Sequence, residues 1–282
     1  MRLVILLLLW CSLAGCSAAR FAYDHLDAYF LWRSGSYLDL HGEEAGELEE
    51  RIQDFLAWHR AQALPQYARI ADDAARRMSR GMSRQDLVWG YDSLVAQARE
   101  GLRQAAERIA PILDRLTPEQ VAHLEQRLAE DNRKFAGEFL RGSERERRER
   151  RARRTVEQLE DWVGDLSKAQ VERVRQYAER APLIDELRDR DRKRLQADLL
   201  RLVRARQARA GLPERAAHWQ RGRDPAFVAA NDARRQEYFS MILDVDRTLS
   251  AAQRARAVAQ FRRYAEDMRV LASRAGPAAR AP

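Results

Sequence analysis

The 282-residue sequence is poor in cysteine, glycine and proline. It has two cysteines, Cys11 and Cys16, with 13 glycines and eight prolines. So few cysteines exclude a disulfide framework, and a chain of this length can be stabilised by core packing instead. Alternating runs of Val and Ile, which would predict strands, are also missing, while 33% of the residues are charged. This composition predicts long helices.

The N-terminus has the pattern of an export signal. Arg2 precedes an apolar run, and the run ends in the small-residue tetrapeptide Leu-Ala-Gly-Cys at positions 13–16. A run this short does not span a bilayer stably, so residues 1–15 are predicted to be a secretory signal peptide. The alternatives are a plain signal peptide with a chance cysteine and, less favoured, a buried core helix.

The tetrapeptide resembles the lipobox of bacterial lipoproteins. That resemblance implies that Cys16 is lipidated and becomes the first residue of the mature chain, since two or more acyl chains anchor a protein stably. Ser17 stands where an Asp would favour the inner membrane, so the outer membrane is favoured by the same resemblance. We therefore expect a domain in the bacterial cell envelope, tethered to the membrane through Cys16 and facing the periplasm.

The positive charge comes almost wholly from arginine. The chain has 51 Lys+Arg against 43 Asp+Glu, a net charge of +8, and only three of the cations are lysines. Such a balance often indicates nucleic-acid binding, but the predicted export argues against nucleic acid as a partner. Anionic headgroups, lipopolysaccharide phosphates and acidic or unfolded envelope proteins are better candidates. The alternative is a solvated surface of charged helices that has no partner.

A helix-start motif recurs along the chain. At Leu116–Gln120, Thr117 can cap the helix, Gln120 can close a capping box, and Leu116 can form a hydrophobic staple with Val121. Serine versions stand at Leu166, Ser167 and Gln170 and at Leu249, Ser250 and Gln253. Weaker forms lie at 82–86 and 40–44, and another capping box at 143–146. The motif indicates long helices that are restarted repeatedly.

We predict an all-α fold, an extended bundle or cradle of about seven to nine long helices. The expected order is the signal peptide 1–15, a lipidated and aromatic segment 16–40, a helical domain 41–274 and a disordered tail 275–282. The aromatic side chains of this segment are expected to pack into the core of the domain. The alternative is that they lie in the headgroup layer of the membrane. A helix between residues 87 and 116 is expected to bury one side along its whole length, and residues 211–223 are expected to form a loop.

Few residues suggest chemistry. The five histidines are scattered and no Gly-rich phosphate loop or nucleophile motif is present, so we predict no catalytic residue, no metal site and no cofactor. Asp131 and Asn132 interrupt an apolar face and suggest either a hydrogen-bonded structural contact or a site. A charge-dense helix start is expected to be solvated, and its functional alternative is a basic contact patch. The patch residues are Arg147, Arg148, Arg150 and Arg151.

Two resemblances add to these patterns. The recurring Leu-Thr-x-x-Gln motif resembles that of the Spy and CpxP group of all-helical periplasmic stress proteins, which implies a curved cradle that binds unfolding clients without ATP. Most of the mature chain resembles an uncharacterised lipoprotein family of proteobacteria, which implies architecture and location only. The matching segments are Tyr23-Asp24-x-Leu26-Asp27, Trp58-His59-Arg60, Leu64-Pro65-x-Tyr67, His123-Leu124-Glu125, Glu130-Asp131-Asn132 and Tyr264-Ala265-Glu266-Asp267.

Three classes of function are consistent with the sequence. The first is a non-enzymatic protein-binding lipoprotein, chaperone-like or stress-related, which predicts an exposed concave face that mixes basic and apolar residues. The second is a structural lipoprotein that docks on an envelope assembly, which predicts a compact apolar patch on a convex surface. The third is an enzyme with a deep pocket of convergent polar groups. We favour the first.

The lipid anchor is tested by Cys16→Ser. Without the thiol no acyl chain can be attached, so the variant is expected to remain unprocessed or to become soluble in the periplasm. Detergent partitioning and labelling with radioactive palmitate measure this. A variant that keeps both its membrane retention and its label would rule out the lipoprotein assignment.

Overall fold

The computed structural model describes residues 20–274, so the predicted signal peptide, Cys16 and the tail 275–282 lie outside the described residues. All regular structure within 20–274 is helical, which confirms the predicted all-α class. The α-helices are α1 Leu26–Leu38, α2 Glu43–Trp58, α3 Leu64–Ser79, α4 Arg84–Leu113, α5 Pro118–Phe135, α6 Glu144–Val163, α7 Lys168–Arg180, α8 Asp185–Arg204, α9 Ala208–Ala217, α10 Pro225–Asp246 and α11 Ala251–Ser273.

These eleven helices of the described range exceed the predicted seven to nine. One reason is α9, which occupies part of the predicted loop 211–223. Asp114 caps this helix from the end of α4, because its carboxylate accepts hydrogen bonds from the backbone N–H groups of Ala208 (2.6 Å) and Arg209 (3.0 Å). Gly211 also allows close packing on α8, since a Cβ there would lie 3.0 Å from Leu202. Both determinants are distant or tertiary, so the local sequence does not show them.

The chain passes Pro65 without breaking. The π-helical turn His59–Ala63 joins α2 to α3, and the backbone N–H of Leu64 donates to the carbonyl of His59. Wider spacing in this turn accommodates a proline that lacks its own N–H. A second π-helical turn, Ala136–Leu140, follows α5.

Three apolar clusters form the core of the described chain. The largest joins α1, α2, α5 and the ends of α4 and α8 around residues such as Leu48, Leu56 and Leu124. A second lies between α7 and α10, with Tyr177 and Met241 at its centre. A third, smaller cluster connects the N-terminal segment to α3 and α11. The core of residues 20–274 is therefore divided among three clusters and has no single centre.

Capping boxes start five of the helices. Both reciprocal hydrogen bonds of the box are present at Ser83, Thr117, Ser143, Ser167 and Ser250. The weaker motif at 40–44 has no side-chain cap, because Gly42 occupies the capping position. Local pairing over three residues is sufficient to specify these helix starts.

The glutamines of the motif also make contacts between distant helix starts. The side-chain amide of Gln120 donates to the carbonyl of Asp39 (3.2 Å) and to the carboxylate of Glu44 (2.8 Å). We call this contact the first joint; it connects the start of α5 to the start of α2.

A second joint has the same form. Gln170 donates to the carbonyl of Thr248 (3.2 Å), and its amide pairs with that of Gln253 (3.1 Å). Gln253 in turn donates to the carbonyl of Asp165 (2.8 Å). This joint connects the start of α7 to the start of α11.

Gln170→Ala tests the second joint. Gln170 is 1% exposed, and its removal leaves the Ser167 N–H and the Thr248 carbonyl without their partner. We expect the free energy of unfolding to fall by more than about 2 kcal/mol, because buried polar groups lose their hydrogen bonds. Gln176→Ala on the same helix is the matched control and should cost less than about 0.5 kcal/mol. Urea melts of both variants measure this. Equal decreases in the free energy of unfolding would show that the joint does not stabilise the fold.

Candidate functional site

An apolar cavity lies between α1, α2, the first π-helical turn, α3 and α4. Its volume is about 630 Å³, within the range of sites that hold small molecules or apolar side chains. Its walls carry mostly apolar groups, among them Phe30, Phe55, Ala98, Leu102, Ala105 and Ile109.

The cavity exists because α4 is not covered along its length. The apolar stripe of this helix was predicted to be buried throughout, and that prediction is wrong for its first two thirds. Leu94 is 52% exposed and Leu102 is 47% exposed, whereas Ala110 and Ile112 are buried. Gly101 deepens the opening, since a Cβ there would have no atom within 4 Å. Sequence periodicity shows which face is apolar, but not whether another helix covers it.

A tyrosine contacts one of the residues that line the cavity. The hydroxyl of Tyr23 lies 2.7 Å from Nδ1 of His59, and His59 lines the cavity. Burial lowers the pKa of His59, and the charge of Arg60 lowers it further. Burial raises the pKa of Tyr23 to about 12, although Arg60 opposes this shift. Both groups are thus neutral near pH 7, and His59 is half-buried in the wall of the cavity.

Two arginines lie among the residues that line this cavity. Arg51 is paired with Glu47 at 3.2 Å. Arg108 donates to the backbone and side-chain oxygens of Gln104 (3.0 and 2.5 Å), and no carboxylate of residues 20–274 lies within 4.0 Å of it. The cavity therefore combines apolar walls with cationic side chains, the mixture expected of a protein-binding cradle.

The four arginines of the predicted basic patch are only partly exposed, and they contact other parts of the protein. Arg148 and Arg151 donate to backbone carbonyls at the C-terminal end of α7, including that of Ala181 at 3.2 and 2.8 Å. Arg147 pairs with Glu186, and Arg150 donates to the carbonyl of Arg141 (2.6 Å). Carbonyls left without partners at a helix end attract such cations. The interpretation of this helix start as solvated therefore holds for exposed residues such as Arg145 and Arg153, but not for Arg148 and Arg151, which bind carbonyls of another segment.

Three further arginines were missed by the sequence analysis. Arg154 of α6, Arg188 of α8 and Arg234 of α10 share a cleft with Arg147, Arg150 and Arg151. No spacing rule could have grouped them, since they stand on three different helices and each is more than 30 residues from the next.

Other polar residues singled out by the sequence have structural contacts. Asp131 accepts hydrogen bonds from Tyr37 and from Arg33 (3.4 Å). Asn132 bonds to Gln196 (2.7 Å) and to Arg192 (2.7 and 3.0 Å). Both residues thus match the structural interpretation of the interrupted apolar face.

Residues 20–274 contain neither a cluster of metal ligands nor a helix that could span a membrane. The range contains no group of three or more His, Cys, Asp or Glu side chains placed to hold a metal ion. None of its helices combines the length and the apolar content needed to cross a membrane.

A comparison with family models gives a match over most of the chain. A family model described as "Family of unknown function (DUF6279)" matches residues 36–218, about two thirds of the chain. Neither the curated proteins nor the solved structures contain a match.

Proposed function

The chain belongs to DUF6279, a family of unknown function, and we propose that it is a lipid-anchored envelope protein that binds apolar segments of other proteins without catalysis. The anchor is Cys16 and the binding surface is the apolar cavity. Such a protein would act as a chaperone or as a stress-response protein.

The uncovered part of α4 is the observation that carries the proposal. An apolar surface in contact with water is unfavourable, and contiguous exposed patches are typical of interaction sites. Leu94 and Leu102 remain exposed beside a cavity with apolar walls. An apolar client segment that enters the cavity would remove this surface from water, and each buried CH₂ group contributes about 0.8 kcal/mol.

The charges near the cavity support encounter with clients. Arg108 has no carboxylate partner in residues 20–274, and the chain as a whole carries a net charge of +8. Cations beside an apolar surface attract acidic or partly unfolded chains and raise the association rate. Because salt screens this attraction, binding should weaken as ionic strength rises.

The exposed aromatic residues support a position close to the membrane. Phe21 and Trp32 are each 65% exposed and Tyr29 is 51% exposed, whereas Tyr23 is buried. The aromatic segment thus only partly plugs the core. Four residues of chain span at most about 14 Å, so an anchor at Cys16 holds Arg20 near the headgroup layer, where aromatic side chains are favoured. A docking role on an envelope assembly is the second candidate, since the same aromatic residues could contact a protein.

Leu102→Glu tests the binding surface. The chain from Ser17 onward should slow the aggregation of a reduced test protein, and the variant should slow it several-fold less, because a carboxylate opposes apolar binding. Light scattering measures this against an inert protein of equal size. Leu195→Glu is the control, since Leu195 is a 36% exposed leucine on α8 outside the cavity. If the unaltered protein does not slow aggregation, the docking role is favoured. If Leu102→Glu and Leu195→Glu weaken the effect equally, the cavity is not the binding surface.

A further inference from the structure

A second concave site lies between α6, α8, α10 and the second π-helical turn. It is a cleft of about 220 Å³, separate from the apolar cavity and not part of the proposed function. Two carboxylates, Glu138 and Asp185, line it. Six arginines line it as well: Arg147, Arg150, Arg151, Arg154, Arg188 and Arg234. We call this site the arginine cleft.

Most of these cations have no carboxylate partner. Arg147 pairs with Glu186, and Arg154 pairs with Glu138 at 3.2 Å. For the other four guanidinium groups, no carboxylate of the described chain lies within 4.0 Å. Within residues 20–274, the side chains of Arg188 and Arg234 also donate no hydrogen bond to protein. The positive charge of the cleft is therefore only partly compensated by the protein itself.

The arrangement keeps like charges close together. Burial is the main cause that lowers the pKa of Arg151, and the nearby charges of Arg234 and Arg148 lower it further, while Tyr177 and Asp185 oppose the shift. Backbone carbonyls at the end of α7 fix Arg151 from one side, at 2.8 and 3.1 Å. An anion that entered the cleft would relieve this repulsion without moving the arginines.

Aromatic and neutral polar residues complete the cleft. The Phe139 ring lies 5.3 Å from the guanidinium of Arg154 and 6.0 Å from that of Arg188, so it positions both by cation–π contact. Thr155 and Gln158 line the same cleft and offer uncharged hydrogen-bond donors. The N–H groups of the guanidinium side chains and these neutral donors can together hydrogen-bond the oxygens of a phosphate group.

We propose that the arginine cleft binds a phosphate group, either a phosphate monoester or a diphosphate. A carboxylate brings one negative charge, whereas a phosphate monoester brings about 1.5 to 2 at pH 7 and three acceptor oxygens. The ligand is thus a multiply charged anion that several unpaired arginines share. The same group could belong to a soluble phosphate ester or to a lipid headgroup.

Titration calorimetry with pyrophosphate tests the site. The mature lipidated protein in a neutral detergent is expected to bind pyrophosphate at low salt, with an affinity that falls as salt is added. Arg234→Gln should weaken binding at least about tenfold, equivalent to one charge-assisted hydrogen bond. Because the Arg234 side chain has no hydrogen bond within residues 20–274, this variant should stay folded, and Arg188→Gln provides an independent second variant. Arg153→Gln is the matched control, an exposed arginine of α6 outside the cleft.

The outcomes separate the two sources. Flotation with phosphatidylcholine vesicles, with and without phosphatidic acid, measures the lipid headgroup. The ligand is a lipid headgroup if the protein binds more strongly to vesicles with phosphatidic acid. Pyrophosphate should then compete with this extra binding, and Arg234→Gln should abolish it. Binding of pyrophosphate without any preference for phosphatidic acid would identify a soluble ester. The proposal is overturned if neither ligand binds, or if Arg153→Gln weakens binding as much as Arg234→Gln and Arg188→Gln.

Discussion

Side-chain amides of glutamine hold helix starts together that lie far apart in the chain. Gln120 reaches Asp39 and Glu44 across 76 or more residues, and Gln170 reaches Thr248 and Gln253 across 78 or more. In both joints the donor is the last residue of a five-residue cap motif. In both, the acceptors are the last residue of a second motif and the carbonyl just before that motif. Gln120 and Gln170 are both buried, so an amide left without its partners would destabilise the helix ends that it joins.

The joints fix helix ends, and this explains where the open surfaces lie. The largest core cluster surrounds the first joint, and the second cluster lies beside the second joint. Between them α4 extends over 30 residues and is buried mainly at its C-terminal end. Its uncovered part forms one wall of the apolar cavity. The arginine cleft forms where α6, α8 and α10 converge. One surface is apolar and the other cationic, and the proposed binding activities follow from that difference.

Sequence analysis succeeded where both partners of an interaction are close in the chain. The capping boxes at Thr117, Ser167 and Ser250 have this property, and so does the all-α class, which composition determines. It failed where a partner is distant. The cap of α9 comes from Asp114, some 94 residues away, and the arginines near residue 150 bind carbonyls about 30 residues further on. Helical periodicity predicted a buried stripe on α4, yet Leu94 and Leu102 of that stripe are exposed, because coverage by other helices is a tertiary property.

The central claim is that the uncovered face of α4 contacts other proteins in the cell envelope. A photo-crosslinking amino acid placed at Leu102 of the full-length protein in intact cells tests it most directly, with the same probe at Leu195 as the reference. The account predicts crosslinked proteins from position 102 that are absent from position 195. Equal crosslinking at both positions, or none at position 102, would contradict it.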